Sequence, residues 1–207
     1  MTLLAALDYA SVFIFALTGA LVASRAQLDI VGFVFIAALT AVGGGTIRDL
    51  LVGRDVIFWI ANPAYIGVAA VAALLVFVAA HRLESRMRGI IWLDAFALSV
   101  AVPAGVGVAL ALGMSAPIVI IMGISTGCFG GLMRDVVCNE VPLVLKQGEL
   151  YVTCALAGAG ASLVALMFGL AIPTALLICG GTTLALRAGS IALGWRLPVY
   201  KSRPPSI

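Results

Sequence analysis

Long apolar runs separated by short polar or proline-bearing stretches take up most of this chain. Seven runs stand out: Leu3 to Val22, Val31 to Ile47, Ala64 to Ala80, Ile90 to Leu112, Ile118 to Val137, Leu150 to Phe168, and Ile172 to Leu186. A helix that spans a bilayer needs about 20 residues, within a range of about 17 to 25. The last run is short, and Gly189 to Trp195 extends it beyond Arg187. Asn62-Pro63, Ser115-Ala116-Pro117 and Ile172-Pro173 are natural breaks before helices. The apolar residues come in runs, not in the strict alternation of a membrane barrel. The pattern predicts an all-α membrane protein with seven transmembrane helices.

Composition agrees. Of 207 residues, 63% are hydrophobic and only 10% charged, against about 25% charged in a soluble domain. The mean hydropathy is +1.21. The net charge of +3 is too small to argue for nucleic acid, so none is expected as a partner. It does orient the chain. Setting aside Arg48 and Arg134, the cations Arg25, Arg82, Arg86, Arg88, Lys146, Arg187, Arg196, Lys201 and Arg203 fall on one side of the predicted membrane. Only Arg54 falls on the other. The positive-inside rule places the N-terminus outside and the C-terminus in the cytoplasm.

An internal repeat underlies the seven runs. Shifted by 86 residues without a gap, Leu7-Asp8 falls on Leu93-Asp94, Gly19 on Gly105 and Thr40 on Thr126. Gly44-Gly45 falls on Gly130-Gly131, Arg48-Asp49 on Arg134-Asp135, and Tyr65 on Tyr151. Matched charges and paired glycines in one register mark a duplication. The chain is read as one transmembrane domain, residues 1–207. Repeat one covers about 3–81, repeat two about 89–168, and a seventh helix about 171–195. Three spans per copy reverse the second copy, giving an inverted three-plus-three repeat plus one. Transport pathways are often built on such repeats, with sites near their interface.

The candidate chemistry sits in Gly43-Gly44-Gly45-Thr46-Ile47-Arg48-Asp49 and Gly130-Gly131-Leu132-Met133-Arg134-Asp135. Glycine weakens a helix by up to about 1 kcal/mol relative to alanine. Clustered glycines let a membrane helix kink or unwind where protein or a water-filled cavity surrounds it. The second and fifth spans are thus expected to be kinked, with freed carbonyls offered to a cation. Close packing of helices is the other reading of the same glycines. Arg48 and Arg134 are expected beside a shared pathway, paired with acids or carbonyls, and Asp49 and Asp135 at the N-terminal ends of the half-helices after the breaks. Asp8 and Asp94, in the first turns of their spans, are either favourable helix N-terminal charges or cation-attracting mouths. Tyr65 and Tyr151 read as interfacial anchors.

The four cysteines, Cys128, Cys138, Cys154 and Cys179, form no metal-ligand spacing. The lone His81 reads as interfacial. No cofactor or bound metal is expected beyond transient monovalent cations. No catalytic motif is present, so the chain is not expected to be an enzyme. Basic residues around His81 to Arg88 and Arg196 to Arg203 fit contact with membrane lipid headgroups or a positive-inside flank.

At these paired motifs the sequence resembles the prokaryotic TRIC family, the trimeric intracellular cation channels. That family overlaps with bacterial membrane proteins classified as glycine transporters. The resemblance implies a homotrimer in the bacterial or archaeal plasma membrane, with one pore in each subunit conducting potassium or sodium. It implies kinks at Gly43, Gly44, Gly45, Gly130 and Gly131, with Arg48, Asp49, Arg134 and Asp135 beside the pore. Two departures from the family pattern stand out. Val56 replaces a proline after the first Arg-Asp. In the second copy Phe129 replaces the first glycine and Asn139 stands opposite Gly53, while Pro142 is present. A secondary transporter of a small solute such as glycine is the alternative, and a purely trimerising scaffold a third reading.

Overall fold

The computed structural model describes residues 3–79, 86–146 and 150–198. The ends of the run Ala64 to Ala80 and of repeat one lie outside these residues, as do His81, Arg82, Lys201 and Arg203. Eight helices form among the described residues: α1 (Leu3–Arg25), α2 (Ile30–Leu51), α3 (Phe58–Ala61), α4 (Ala64–Ala79), α5 (Arg86–Ala111), α6 (Ala116–Val137), α7 (Tyr151–Met167) and α8 (Ile172–Leu193). A 3-10 turn, Leu143–Leu145, precedes α7. Helices α1, α2, α5, α6 and α8 are long and apolar enough to cross a membrane. Helices α4 and α7 are apolar but shorter, at 16 and 17 residues. The chain is an all-helical membrane protein. The short α3 was not foreseen in the apolar pattern.

Local chemistry sets the helix ends. The Asp29 side chain accepts from the Gly32 amide at 2.8 Å and caps α2. Pro117 and Pro173 stand in the first turns of α6 and α8, where no amide donor is missed. The turns repeat in the same register as the motifs. Gln27 and Gly113 both take positive φ after α1 and α5, and Gly53 and Asn139 do so after α2 and α6. Asparagine tolerates this left-handed region better than most residues, which accounts for Asn139 where the first copy has glycine.

Helix α5 is the centre of the bundle and packs on α1, α6 and α8. Its contacts are made by small residues: Ala95, Ala97, Ala101 and Ala104 are almost wholly buried. The outward faces carry apolar groups such as Val71, Leu75 and Val78 of α4, each more than half exposed. Apolar residues outside and charges inside are the arrangement a hydrocarbon solvent demands.

Where α2 meets α6 the backbones touch. A Cβ added at Gly44 would strike the Thr126 carbonyl oxygen, and one at Gly130 would strike that of Thr40. The contact is reciprocal: Gly44 corresponds to Gly130, and Thr40 to Thr126. Rising numbers in one helix meet falling numbers in the other, so α2 and α6 run antiparallel. A reciprocal contact of this kind is the mark of a two-fold relation. The supporting contacts also repeat. A Cβ at Gly19 of α1 would crowd the Thr40 hydroxyl, and one at Gly105 of α5 that of Thr126.

Unwound backbone, expected at these glycines, is not found in α2 or α6. Both α2 and α6 run as continuous helix through Gly43, Gly44, Gly45, Gly130 and Gly131, so no backbone is unwound at these glycines. The physical reason is packing on several sides. A Cβ added at Gly43 would crowd the flexible Met133 side chain, one at Gly44 the Thr126 carbonyl and one at Gly45 the Phe58 ring. Contact with neighbours offsets the weak helix propensity of the triplet, as it does for small residues at membrane helix interfaces.

Candidate functional site

The two Arg–Asp pairs build two charge centres, one from each copy. In the first, Arg48 donates from Nε to Asp49 Oδ1 at 2.8 Å and from Nη1 to Asp8 Oδ1 at 3.2 Å. In the second, Arg134 donates from Nε to Asp135 Oδ1 at 2.7 Å and from Nη1 to Asp94 Oδ1 at 3.0 Å. The 86-residue shift carries each partner onto its counterpart. Both arginine side chains are fully buried. Such a charge survives in an apolar interior only when paired and hydrogen-bonded.

Asp49 and Asp135 lie in the last turns of continuous helices, not at the start of half-helices as the expected breaks required. A carboxylate is disfavoured there by the helix dipole. Each is stabilised instead by a backbone donor from the following loop. The Phe58 amide donates to Asp49 Oδ2 at 2.8 Å, and the Leu143 amide to Asp135 Oδ2 at 2.9 Å. The polar loop after each motif must therefore fold back over its aspartate. In the first copy α3 does this, and in the second the 3-10 turn that starts at Leu143.

Beyond that shared frame the centres diverge. Asp8, the sixth residue of α1, keeps 14% of its side chain exposed. It lines a cavity of about 330 Å³ with Arg54, Phe58, Asn62 and Tyr65. Arg54, 39% exposed, also reaches Asp49 Oδ2 at 3.4 Å. The Arg48 guanidinium lies over the Phe58 ring, 5.4 Å from its centroid. Tyr65 stacks on Tyr9 at 4.2 Å and meets Phe58 edge-on.

Asp94 has none of this openness. It is the ninth residue of α5, not in its first turn, and is fully buried. The Tyr151 hydroxyl donates to its Oδ2. Tyr151 is itself buried, which corrects its reading as an interfacial anchor. The Arg187 guanidinium of α8 lies 5.0 Å from the centroid of the Tyr151 ring. Arg134 also donates to the Thr18 hydroxyl of α1 at 2.9 Å. Asp94 is thus no mouth, whereas Asp8 borders water-accessible space.

Thr18 and the two amide donors carry no signal that singles them out in the sequence. Arg187 was read as a flanking positive charge because it follows an apolar run, yet it lies inside α8 and is fully buried. The register pointed to Tyr151 through its match with Tyr65. All four cysteines are free thiols, and no metal-holding cluster occurs among the described residues. Burial first, and then the Glu140 carboxylate, push the Cys138 thiol up, away from reactive thiolate.

A family model described as "Glycine transporter" matches residues 5–81 and again 91–167. The chain belongs to this family. The two matches start 86 residues apart. A membrane protein of Vibrio cholerae in the group UPF0126 is 38% identical over 96% of this chain and 83% of its own length. The inner membrane protein YadS of Escherichia coli K12 is 33% identical over 94% of both chains. Among solved structures, the TRIC trimeric intracellular cation channel orthologue from Rhodobacter sphaeroides is 42% identical, with a TM-score of 0.90 over 94% of this chain and all of that one. The resemblance to prokaryotic TRIC channels seen at the glycine motifs therefore extends to the fold.

Proposed function

We propose that this chain is a cation channel, a homotrimer with one pore in each subunit that conducts potassium or sodium. The observation that carries the proposal is its likeness, at 42% identity and a TM-score of 0.90, to the Rhodobacter sphaeroides cation channel. The architecture supports it. Two centres of paired charge flank the α2–α6 crossing, where Gly44 and Gly130 lie against the Thr126 and Thr40 carbonyls.

In this conformation the crossing is closed, because Gly44 and Gly130 touch the opposing carbonyls. Opening bends or parts α2 and α6 at the glycine motifs. The carbonyls of Thr40 and Thr126 then face the gap and take the place of part of a cation's hydration shell. In the membrane, α4 and α7 complete seven crossings and the cation-rich side is cytoplasmic. Lipids cover the apolar faces left between subunits. No step in this reading breaks a covalent bond.

Purified protein in planar bilayers is expected to give unitary currents in symmetric potassium chloride, with reversal potentials set by the cation gradient. Silence at every voltage, together with saturable uptake of labelled glycine into proteoliposomes, overturns the channel in favour of a transporter.

A further inference from the structure

The two charge centres differ most in what α8 does. The repeat supplies Arg48, Asp49 and Asp8 to one centre and Arg134, Asp135 and Asp94 to the other. Helix α8 belongs to neither copy, and its Arg187 reaches the second centre. There the Arg187 guanidinium covers the face of Tyr151, whose hydroxyl is bonded to Asp94. Arg187, Tyr151, Asp94 and Arg134 are all essentially without solvent exposure. At the first centre Tyr65 makes stacking contacts instead, and Asp8 faces a cavity.

The glycines next to the arginines carry the same contrast. A Cβ at Gly45 would strike the Phe58 ring at 2.6 Å. One at Gly131 would find Asp94 Oδ1, Arg134 Nη2 and the Tyr151 hydroxyl all between 3.5 and 3.7 Å. The glycine-bearing turn of α6 therefore borders, with room for a methyl group, the polar cluster that α7 and α8 hold in place. Motion of α6 at Gly130-Gly131 disturbs that cluster directly.

We propose that Tyr151 and Arg187 are positioning residues that latch the second charge centre shut, so that conduction is gated at the Arg134 end of the bundle while the Asp8 end stays open to water. The latch works through another residue: Tyr151 fixes Asp94, and Asp94 fixes Arg134. A desolvated cation over a tyrosine face is a favourable contact, and a hydrogen bond to a charged group is stronger than one between neutral groups. Each is small enough for an opening transition to break and large enough to hold a resting state. The proposal rests on the channel reading for its consequence, but the latch itself has a test that needs no current.

Cys128 of α6 is buried and lies within electrostatic reach of both Asp94 and Tyr151. In a chain whose other three cysteines are replaced by alanine, its modification by a charged thiol reagent is measured in proteoliposomes. The reagent is added to either face, and a C-terminal tag marks which face is which. With Tyr151 and Arg187 intact, Cys128 is expected to react slowly from both faces. Tyr151→Phe and Arg187→Met are each expected to speed modification at least tenfold from the face bearing the C-terminus. Tyr65→Phe is expected to change it less than twofold. A general loosening of the fold accelerates both faces alike and overturns the proposal, as does no change in either variant. Open probability in bilayers is expected to rise in the same two variants. Currents in the parent protein with unaltered gating in both variants also overturn the latch. Faster one-sided labelling in a protein that never conducts leaves the latch standing and removes the channel.

Discussion

The two charge centres of this protein are built from one pattern and placed in different surroundings. Each has an arginine bonded to the aspartate beside it and to a second aspartate from the first helix of its copy. Each has a loop amide closing the neighbouring aspartate. Yet Asp8 looks into a cavity and its neighbour Arg54 is partly solvated, while Asp94 is enclosed by Tyr151 with Arg187 behind it. The pairing chemistry belongs to the repeat. The difference in access comes from what surrounds each centre: Tyr151, backed by Arg187 of α8, encloses Asp94, whereas Tyr65 stacks on Tyr9 and leaves Asp8 beside a cavity.

Experiments that break or sharpen this contrast rank by how much buried charge they strand. Arg134→Met leaves Asp94 and Asp135 without their cation in a dry site. A loss of about 3–5 kcal/mol is expected, read as a collapse of the thermal melting temperature in detergent or as failure to fold. Asp94→Asn against Asp8→Asn comes next. The first removes a fully enclosed carboxylate and is expected to destabilise more than the second, by about 1–2 kcal/mol. Equal effects would show that the two ends are equally wet.

Gly44→Ala and Gly130→Ala test the crossing between the centres. Each methyl would meet a backbone carbonyl, so α2 and α6 must move apart, at a cost of about 1–3 kcal/mol. Both are expected to alter unitary conductance similarly, because the contact is reciprocal. Gly43→Ala meets only the flexible Met133 side chain and is expected to be milder. Arg54→Ala is the smallest. Its pair is partly exposed, so less than about 1 kcal/mol is expected, and raising salt should shrink the difference from the parent protein.

Much of this was legible along the chain. The apolar runs placed the long helices, and the register of Arg-Asp, Gly-Gly, Thr and Tyr named the residues that meet. The duplication is readable because charges and glycines are rare enough in so apolar a chain for their coincidence to carry information. What was not legible depends on packing at a distance. Whether Gly43-Gly44-Gly45 unwinds or packs is decided by Thr126, Met133 and Phe58, which lie on other elements. The role of Arg187 was hidden because a cation near the end of an apolar run reads the same whether it points to headgroups or to Tyr151. The amides of Phe58 and Leu143 carry no side-chain signature at all.

The Gly44–Thr126 and Gly130–Thr40 contacts have a consequence for ancestry. One half of the chain holds both the notch and the knob, so two separate copies inserted in opposing senses hold every part needed to make the same joint. A self-complementary joint is how identical subunits meet about a dyad. Within one polypeptide, the α2–α6 crossing therefore has the form of an interface between two copies of a half-length chain.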